Sequence, residues 1–246
     1  MSAPGSVKPS IETSPFSPGE QSIYRIRYLG LGAGTAQITV GAPIQQWGSR
    51  VWPLVTVAKS DPIITFFPIR DRFISYWHPE QNHTLGSELL ADENHVRRRL
   101  RIQLEGGRAR VLKQKEGEAP SESEIDVPLG ALDTTSVIFA LRKASLSDGG
   151  EFRLPVFTGR TSFELIARVI GKETRDTVLG PRQVFVLTVK TEFGGQLKSR
   201  REMTAYITAD AARIPVLLEA DFLLGKIAAE LTSYLPGQAP EITPGS

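Results

Sequence analysis

Residues 23–40 read IYRIRYLGLGAGTAQITV, two runs of alternating side chains on either side of a glycine-rich bend. In the first run Tyr24 and Ile26 alternate with arginines. In the second, Ile38 and Val40 alternate with polar residues. Successive side chains of a β-strand point to opposite faces of a sheet, so this period of two is typical of half-buried strands. The stretch therefore predicts an antiparallel hairpin with one buried face.

The same alternation extends over most of the chain and predicts more than about 40% strand, well above the usual share. The predicted fold is mostly β: one large curved antiparallel sheet, an open barrel or β-spiral, with one or two short helices covering its concave face. We expect a flexible N-terminal tether over residues 1–18, a single β domain over 19–234 and a flexible tail over 235–246, because both ends are rich in Pro, Gly and Ser. The charged segment 115–123 predicts an exposed loop.

Two segments carry helix signals. Asp133 to Ser136 offer capping side chains, and Phe139 and Ala140 follow at helical spacing, so a helix is predicted over 133–143. A shorter helix is predicted over 62–67, where Asp61 precedes Pro62 at the first helical position.

The composition excludes several classes of function. The chain has no cysteine, so disulfides, thiolate metal sites and cysteine nucleophiles are ruled out. A formal charge of +2 implies no strong field for nucleic acid, and no nucleic-acid partner is expected. No apolar run approaches the length of a transmembrane segment. Residues 1–6 lack the apolar core of a signal peptide, so we expect either a cytosolic protein or a chain trimmed to its mature form.

Cofactor and metal signals are weak. The glycines of residues 30–34 lack both the third glycine and the following helix of a dinucleotide-binding motif, so no cofactor is predicted. His78 and His83 lie in a segment that favours a polar loop over paired strand positions, and His95 is isolated, so no metal site is predicted. No segment matches a nucleophile motif.

Two sets of charged residues stand out. Arg97, Arg99 and Arg101 share one face of a predicted strand, either as a solvated face or as an anion-binding ladder for a lipid headgroup or sugar acid. Asp71 lies between two arginines and is predicted to point inward, with Arg142 or a backbone amide as its partner.

Five large rings cluster between residues 66 and 77, beside the predicted short helix. They form either a core plug or the wall of a cavity for an acyl chain, since curved sheets of this size often leave space on the concave side. The candidate cavity residues, from the sheet and from both predicted helices, are Phe66, Phe67, Phe73, Tyr76, Trp77, Val137, Phe139 and Leu141.

Several segments resemble a bacterial exported family known as domain of unknown function 3108. They are Gly19-Glu20 with residues 30–36, Ser60-Asp61 with FPIRDRFISY at 67–76, LDTTS at 132–136 with Leu141-Arg142, TADAARIPV at 208–216, and GKI at 225–227. Their order and spacing cover nearly the whole folded part of the chain, from about Pro18 to Leu231.

The resemblance implies a location in the periplasm or outer envelope of a Gram-negative bacterium, and a fold similar to that of lipoprotein-localisation carriers. It transfers no catalytic residue. The leading hypothesis is a non-enzymatic envelope protein that binds an acyl chain, lipoprotein or glycan, or that docks in an envelope protein assembly. The alternatives are an enzyme acting on envelope polysaccharide and a purely structural subunit without a ligand.

Overall fold

The computed structural model of the chain describes residues 14–62, 68–193, 196–197, 203–222 and 225–238. The elements are β1 (Gln21–Tyr28), β2 (Leu31–Val40), β3 (Ile44–Gln46), β4 (Ser49–Ser60), β5 (Ile69–His78), β6 (His83–Glu93), β7 (Val96–Glu105), β8 (Arg108–Lys115), β9 (Ser121–Asp126), α1 (Ser136–Lys143), β10 (Glu151–Phe157), β11 (Ser162–Thr177), β12 (Gly180–Phe193), β13 (Gln196–Leu197), β14 (Met203–Thr208), β15 (Pro215–Phe222) and β16 (Gly225–Leu235).

The strands form one antiparallel sheet, in the order β10-β11-β12-β14-β15-β16-β1-β2-β4-β5-β6-β7-β8-β9. Strand accounts for 67% of the structure, beside a single helix, and the predicted fold class is confirmed. The hairpin β1–β2 pairs Tyr24 with Ala36 and Ile26 with Gly34.

The sheet curves back on itself without closing into a barrel. Its end strands, β9 and β10, are connected through the segment that leads from β9 to α1. In that segment Leu132 forms a parallel bridge with Val156 of β10 and exchanges hydrogen bonds with Pro155 and Phe157, both of 2.8 Å. This segment therefore covers the edge of β10 that would otherwise be unpaired at this point.

Helix α1 lies against the concave face, as predicted, and begins at Ser136, three residues later than expected. The Asp133 carboxylate accepts hydrogen bonds from the backbone N–H groups of Thr135 (2.9 Å) and Ser136 (2.8 Å). It thereby satisfies two donors that a helix start leaves without intrahelical partners. The predicted short helix over 62–67 falls mostly on residues 63–67, which lie outside the described residues.

Part of the predicted N-terminal tether packs against the core. Phe16 is 3% exposed and packs edge-on against Phe139, with ring centroids 4.7 Å apart. The beginning of the tail is also anchored, because the N–H of Gln238 donates to the carbonyl of Pro18. The proline and serine content of both ends predicted flexibility. Burial of the Phe16 ring in the core stabilises an ordered conformation of the segment around it despite that composition.

One other boundary differs from the prediction. Beyond the long strand β11, in which a register shift next to Ile170 marks a bulge, the difference lies at β9. The predicted loop over 115–123 ends sooner than expected, because Ser121 starts edge strand β9. Every residue of β9 except Ile125 is exposed, so its sequence lacks the apolar alternation on which strand prediction depends.

Candidate functional site

The core fills most of the concave face. Val137, Phe139 and Leu141 of α1 are nearly fully buried and pack in one cluster with Trp77 and Phe16. The same cluster extends to the inward side chains of β11, β12 and β14. At this end of the sheet no space for a ligand remains between helix and strands.

Space does remain over β4 to β8. One cross-strand row on the concave face runs from Thr56 through Phe73, Leu89 and Leu100 to Lys113, because these residues are direct register partners. Above this row lies a pocket of about 300 Å³. We call it the inner pocket; its floor and walls are apolar, and polar groups from the start of α1 complete it. Its apolar lining residues are Ala58, Phe73, Leu89, Leu100, Ile102 and Phe157.

A second space of about 400 Å³ shares Leu89, Leu100 and Thr158 with the inner pocket and forms its mouth. The mouth is basic, with Arg98, Lys113, Lys115 and Arg160 in its lining. We call the inner pocket and its mouth together the concave pocket.

The β10–β11 turn approaches the floor of the concave pocket closely at Gly159. A Cβ atom at this position would come within 2.9 Å of both Leu100 and Ile102, and the φ angle of +82° also favours glycine. The turn therefore forms a tight upper wall over Leu100 and Ile102.

Two carboxyl groups line the inner pocket. Burial raises the pKa of Asp71 above its usual range, although the backbone N–H of Asp92 donates to it at 3.2 Å and Arg98 lies nearby. Burial also raises the pKa of Asp133, which is 4% exposed. One of its oxygens, Oδ2, has no hydrogen-bond partner within the described residues. Both groups therefore retain a proton to higher pH than an exposed aspartate does.

Of the two partners predicted for Asp71, the structure shows the backbone amide and not Arg142. Arg142 is 3% exposed and binds the carboxylate of Glu20 through both terminal nitrogens, at 2.5 and 3.0 Å. Arg142 extends from α1 towards β1, whereas Asp71 lies at the edge of the inner pocket and accepts from a backbone amide instead.

The predicted cavity residues are distributed over three environments. Phe73 alone lines the inner pocket, while Trp77, Val137, Phe139 and Leu141 belong to the filled core. Tyr76 lies on the opposite, convex face, where its ring packs edge-on against Trp47 at 5.1 Å. The period of two places neighbouring residues on opposite faces, so Tyr76 and Trp77 cannot line the same cavity. Phe66 and Phe67 lie outside the described residues.

The predicted arginine ladder lies on the convex face. Arg101 forms an ion pair with Glu88 at 2.8 Å, and Arg97 lies 3.8 Å from Asp92. Arg99 has no ion pair within the described residues. Its register partners are Leu90 and Gln114.

The histidine pair differs from its prediction. His78 and His83 are direct cross-strand partners that close the β5–β6 hairpin, with ring centroids 5.9 Å apart. Burial lowers the pKa of His83, and the neighbouring His78 adds to this shift. Within the described residues no group of three metal-ligating side chains occurs, and no helix is long and apolar enough to cross a membrane.

Sequence reasoning missed most of the concave pocket. Leu89, Leu100 and Ile102 appeared only as members of alternating strands, and Phe157 had no aromatic neighbour in sequence. The register supplies the missing information, because it aligns these residues across β6, β7 and the turn after β10.

The fold defines this molecule as a β-barrel-like protein with an open sheet. The chain belongs to the family described as protein of unknown function (DUF3108), whose model matches residues 23–232. No curated protein matches the chain.

Solved structures resemble the chain to different degrees. A β-barrel-like protein of domain of unknown function DUF1849, from Brucella abortus, has a TM-score of 0.60 at 10% identity and covers 90% of this chain and 98% of its own. A protein named as a lipoprotein from Parabacteroides distasonis has a TM-score of 0.35 at 10% identity, covering 91% and 99%. An exported protein with a YmcC-like fold, from Bacteroides fragilis, has a TM-score of 0.32 at 8% identity, covering 90% and 97%. Only the first of these likenesses is strong enough to support a shared fold.

Proposed function

We propose that this chain is a non-enzymatic protein of the bacterial envelope that binds the acyl chain of an anionic lipid in the concave pocket. The observation that carries the proposal is the unfilled concave space with an apolar floor and a basic mouth. Apolar lining with a few placed polar groups is the usual character of a small-molecule site. The envelope setting rests on membership of the family and on the exported character that the resemblance implies.

The polarity of the concave pocket sets the orientation of the ligand. Phe73, Leu100 and Phe157 offer apolar contact to a hydrocarbon tail at the inner end. At the mouth, Lys113 and Arg160 are exposed, and neither forms an ion pair within the described residues. A lipid therefore binds with its tail on the floor and its anionic headgroup between these two cations.

Titration with a fluorescent lysophosphatidylglycerol tests this function. We expect micromolar affinity, about −8 kcal/mol. Leu100→Glu places a charge on the floor of the pocket and weakens binding by more than about tenfold. Leu89→Trp fills the same space without a charge and is expected to weaken binding as well.

The matched control is Leu112→Glu, a change of the same kind on the convex face of the adjacent strand, where the side chain is 38% exposed. We expect Leu112→Glu to bind like the wild type. If the wild type fails to bind, or if the control loses as much affinity as Leu100→Glu, the concave pocket is not a lipid site.

The alternative of an enzyme is favoured by one observation, the presence of Asp71 and Asp133 in the lining of one pocket. The capping hydrogen bonds of Asp133 account for its position without catalysis. Release of sugars from envelope polysaccharide by the wild type, abolished in Asp71→Asn, would favour the enzyme over the lipid-binding function.

A further inference from the structure

A row of cations lies on the convex face of the sheet, opposite the inner pocket. It lines a groove of about 700 Å³ over β4 to β8. Lys59 is the register partner of Arg70, and Arg72 is the partner of Leu90, which in turn pairs with Arg99. We call this surface the arginine groove and define it by Lys59, Arg70, Arg72, Leu90, Arg97 and Arg99.

The arginine groove has an excess of positive charge. Its lining contains the cations Lys59, Arg70, Arg72, Arg97, Arg98 and Arg99, against the acids Asp71, Asp92 and Glu116. Arg97 and Arg98 are paired with Asp92 and Glu93. The other four cations are exposed and form no ion pair within the described residues. Unpaired guanidinium groups concentrated on one face attract anions more strongly than the chain's small net charge implies.

The sheet spaces these cations regularly. Alternate residues along a strand are about 7 Å apart, and strands β5 and β7 are separated by about 10 Å, two interstrand distances. Arg70, Arg72, Arg97 and Arg99 therefore mark the corners of a rectangle. Leu90, 40% exposed, lies midway along the side between Arg72 and Arg99, and Asp92 lies midway along the side between Arg70 and Arg97. Each guanidinium can bind a carboxylate or phosphate with two parallel hydrogen bonds.

We propose that the arginine groove binds a polyanionic glycan, a sugar chain that carries repeated carboxylate or phosphate groups. Charge complementarity supports this occupant, and Leu90 offers apolar contact to the face of a sugar ring. Single-stranded nucleic acid fits less well, because the described residues of the lining include no aromatic side chain on which a base could stack. A membrane surface fits less well too, because Leu90 is the one exposed large apolar side chain among the described lining residues.

Binding of a polygalacturonate oligomer at low salt, compared with neutral dextran, tests the proposal. We expect binding of the polygalacturonate alone, with affinity that falls as salt rises. The double variant Arg70→Gln/Arg72→Gln is expected to lose on the order of tenfold or more in affinity and to show a weaker salt dependence. Both side chains are exposed, so the variant keeps the fold.

The matched control, Arg168→Gln/Arg182→Gln, removes two exposed arginines far from the arginine groove and leaves the same net charge. We expect it to retain wild-type affinity. The proposal would be overturned if the control lost as much affinity as the test variant, or if dextran bound as tightly as polygalacturonate. It would also be overturned if single-stranded DNA or phosphatidylglycerol vesicles bound more tightly than polygalacturonate. The lipid titration of the concave pocket tests a separate site, because neither double variant alters a residue that lines the concave pocket.

Discussion

The Arg142 guanidinium and the Glu20 carboxylate form a buried bidentate ion pair that joins α1 to the start of β1 across 122 residues of sequence. Arg142 also donates to the carbonyls of Pro15 and Ala212, and the hydroxyl of Tyr234 donates to Glu20. One ion pair thus connects the N-terminal segment, the helix and the last strand. Such a pair stabilises the fold only while both of its members are present.

The first prediction is that Glu20→Gln destabilises the protein. The substitution leaves the Arg142 cation buried without a counter-ion, which costs about 3–5 kcal/mol. For a chain of this length the melting temperature falls by on the order of 10 °C, measured by calorimetry.

Glu164→Gln is the control for Glu20→Gln. It breaks an exposed ion pair of 2.7 Å with Arg153, and we expect a change within about 1 kcal/mol. The double variant Glu20→Met/Arg142→Met removes both charges and recovers part of the loss. A Glu20→Gln protein as stable as Glu164→Gln would show that the buried pair does not hold α1 to the sheet.

The second prediction concerns Phe16. Its ring contacts Trp52, Trp77 and Phe139, so Phe16→Ala leaves a cavity in the core and costs about 3–5 kcal/mol. Leu31→Ala, at a position 74% exposed, is expected to change stability by no more than about 0.5 kcal/mol. Urea denaturation compares the two. Equal midpoints would restore the interpretation of residues 14–18 as a tether.

The sheet could be predicted from the sequence because the residues that determine each hairpin lie close together in the chain. Alternation around a glycine-rich bend, as in residues 23–40, encodes a hairpin within eighteen or so residues and needs no distant partner. The same holds for α1, whose capping residue Asp133 lies three positions before its first helical residue.

The partners of the core and of the site could not be predicted in this way. Glu20 contacts Arg142 only in the curved sheet, because the two residues are far apart in sequence. A local sequence pattern does not indicate which cation pairs with a buried carboxylate. Leu89 and Leu100 line a pocket because the core cluster, which joins α1 to Trp77 and to the inward side chains of β11 and β12, does not extend to them. Arg70 and Arg72 flank Asp71 in the sequence. Only the strand register shows that they lie opposite Arg97 and Arg99 across β6.

The third prediction concerns the pH dependence that Asp133 gives to stability. Burial raises its pKa in the folded state, so the folded protein binds this proton more tightly than the unfolded chain does. The stabilisation that protonated Asp133 gives to the folded protein is therefore fully present below the pKa of this residue in the unfolded chain. It is lost as pH rises through the pKa of this residue in the folded protein. Asp133→Asn keeps the oxygen that caps α1 and removes this titration, so the variant is expected to be more stable than the wild type at pH 8 and to lose that advantage in acid.

Asp133→Ala is the comparison that separates charge from capping. It removes the acceptor for the N–H groups of Thr135 and Ser136 and is expected to cost about 0.5–2 kcal/mol at the acidic end of the range, where the wild-type carboxyl is neutral. Thermal unfolding followed from pH 4 to pH 8 gives both profiles. If Asp133→Asn were less stable than the wild type at pH 8, the hydrogen bonds that the carboxylate accepts would outweigh the cost of burying its charge.

The last prediction links pH to ligand binding through Asp71, which lines both the inner pocket and the arginine groove. Because burial raises its pKa, Asp71 becomes neutral at a higher pH than an exposed aspartate does, and its negative charge then no longer repels an anionic ligand. The affinity for lysophosphatidylglycerol, whose phosphodiester stays ionised, should therefore rise several-fold as pH falls through this pKa. Asp71→Asn should bind more tightly at pH 7, while zwitterionic lysophosphatidylcholine should respond weakly to pH in both proteins. Asp133 also lines the inner pocket and has a raised pKa, so the pH profiles are compared in proteins that all carry Asp133→Asn. An unchanged pH dependence after Asp71→Asn is added to Asp133→Asn would mean that the Asp71 carboxyl does not face the bound headgroup.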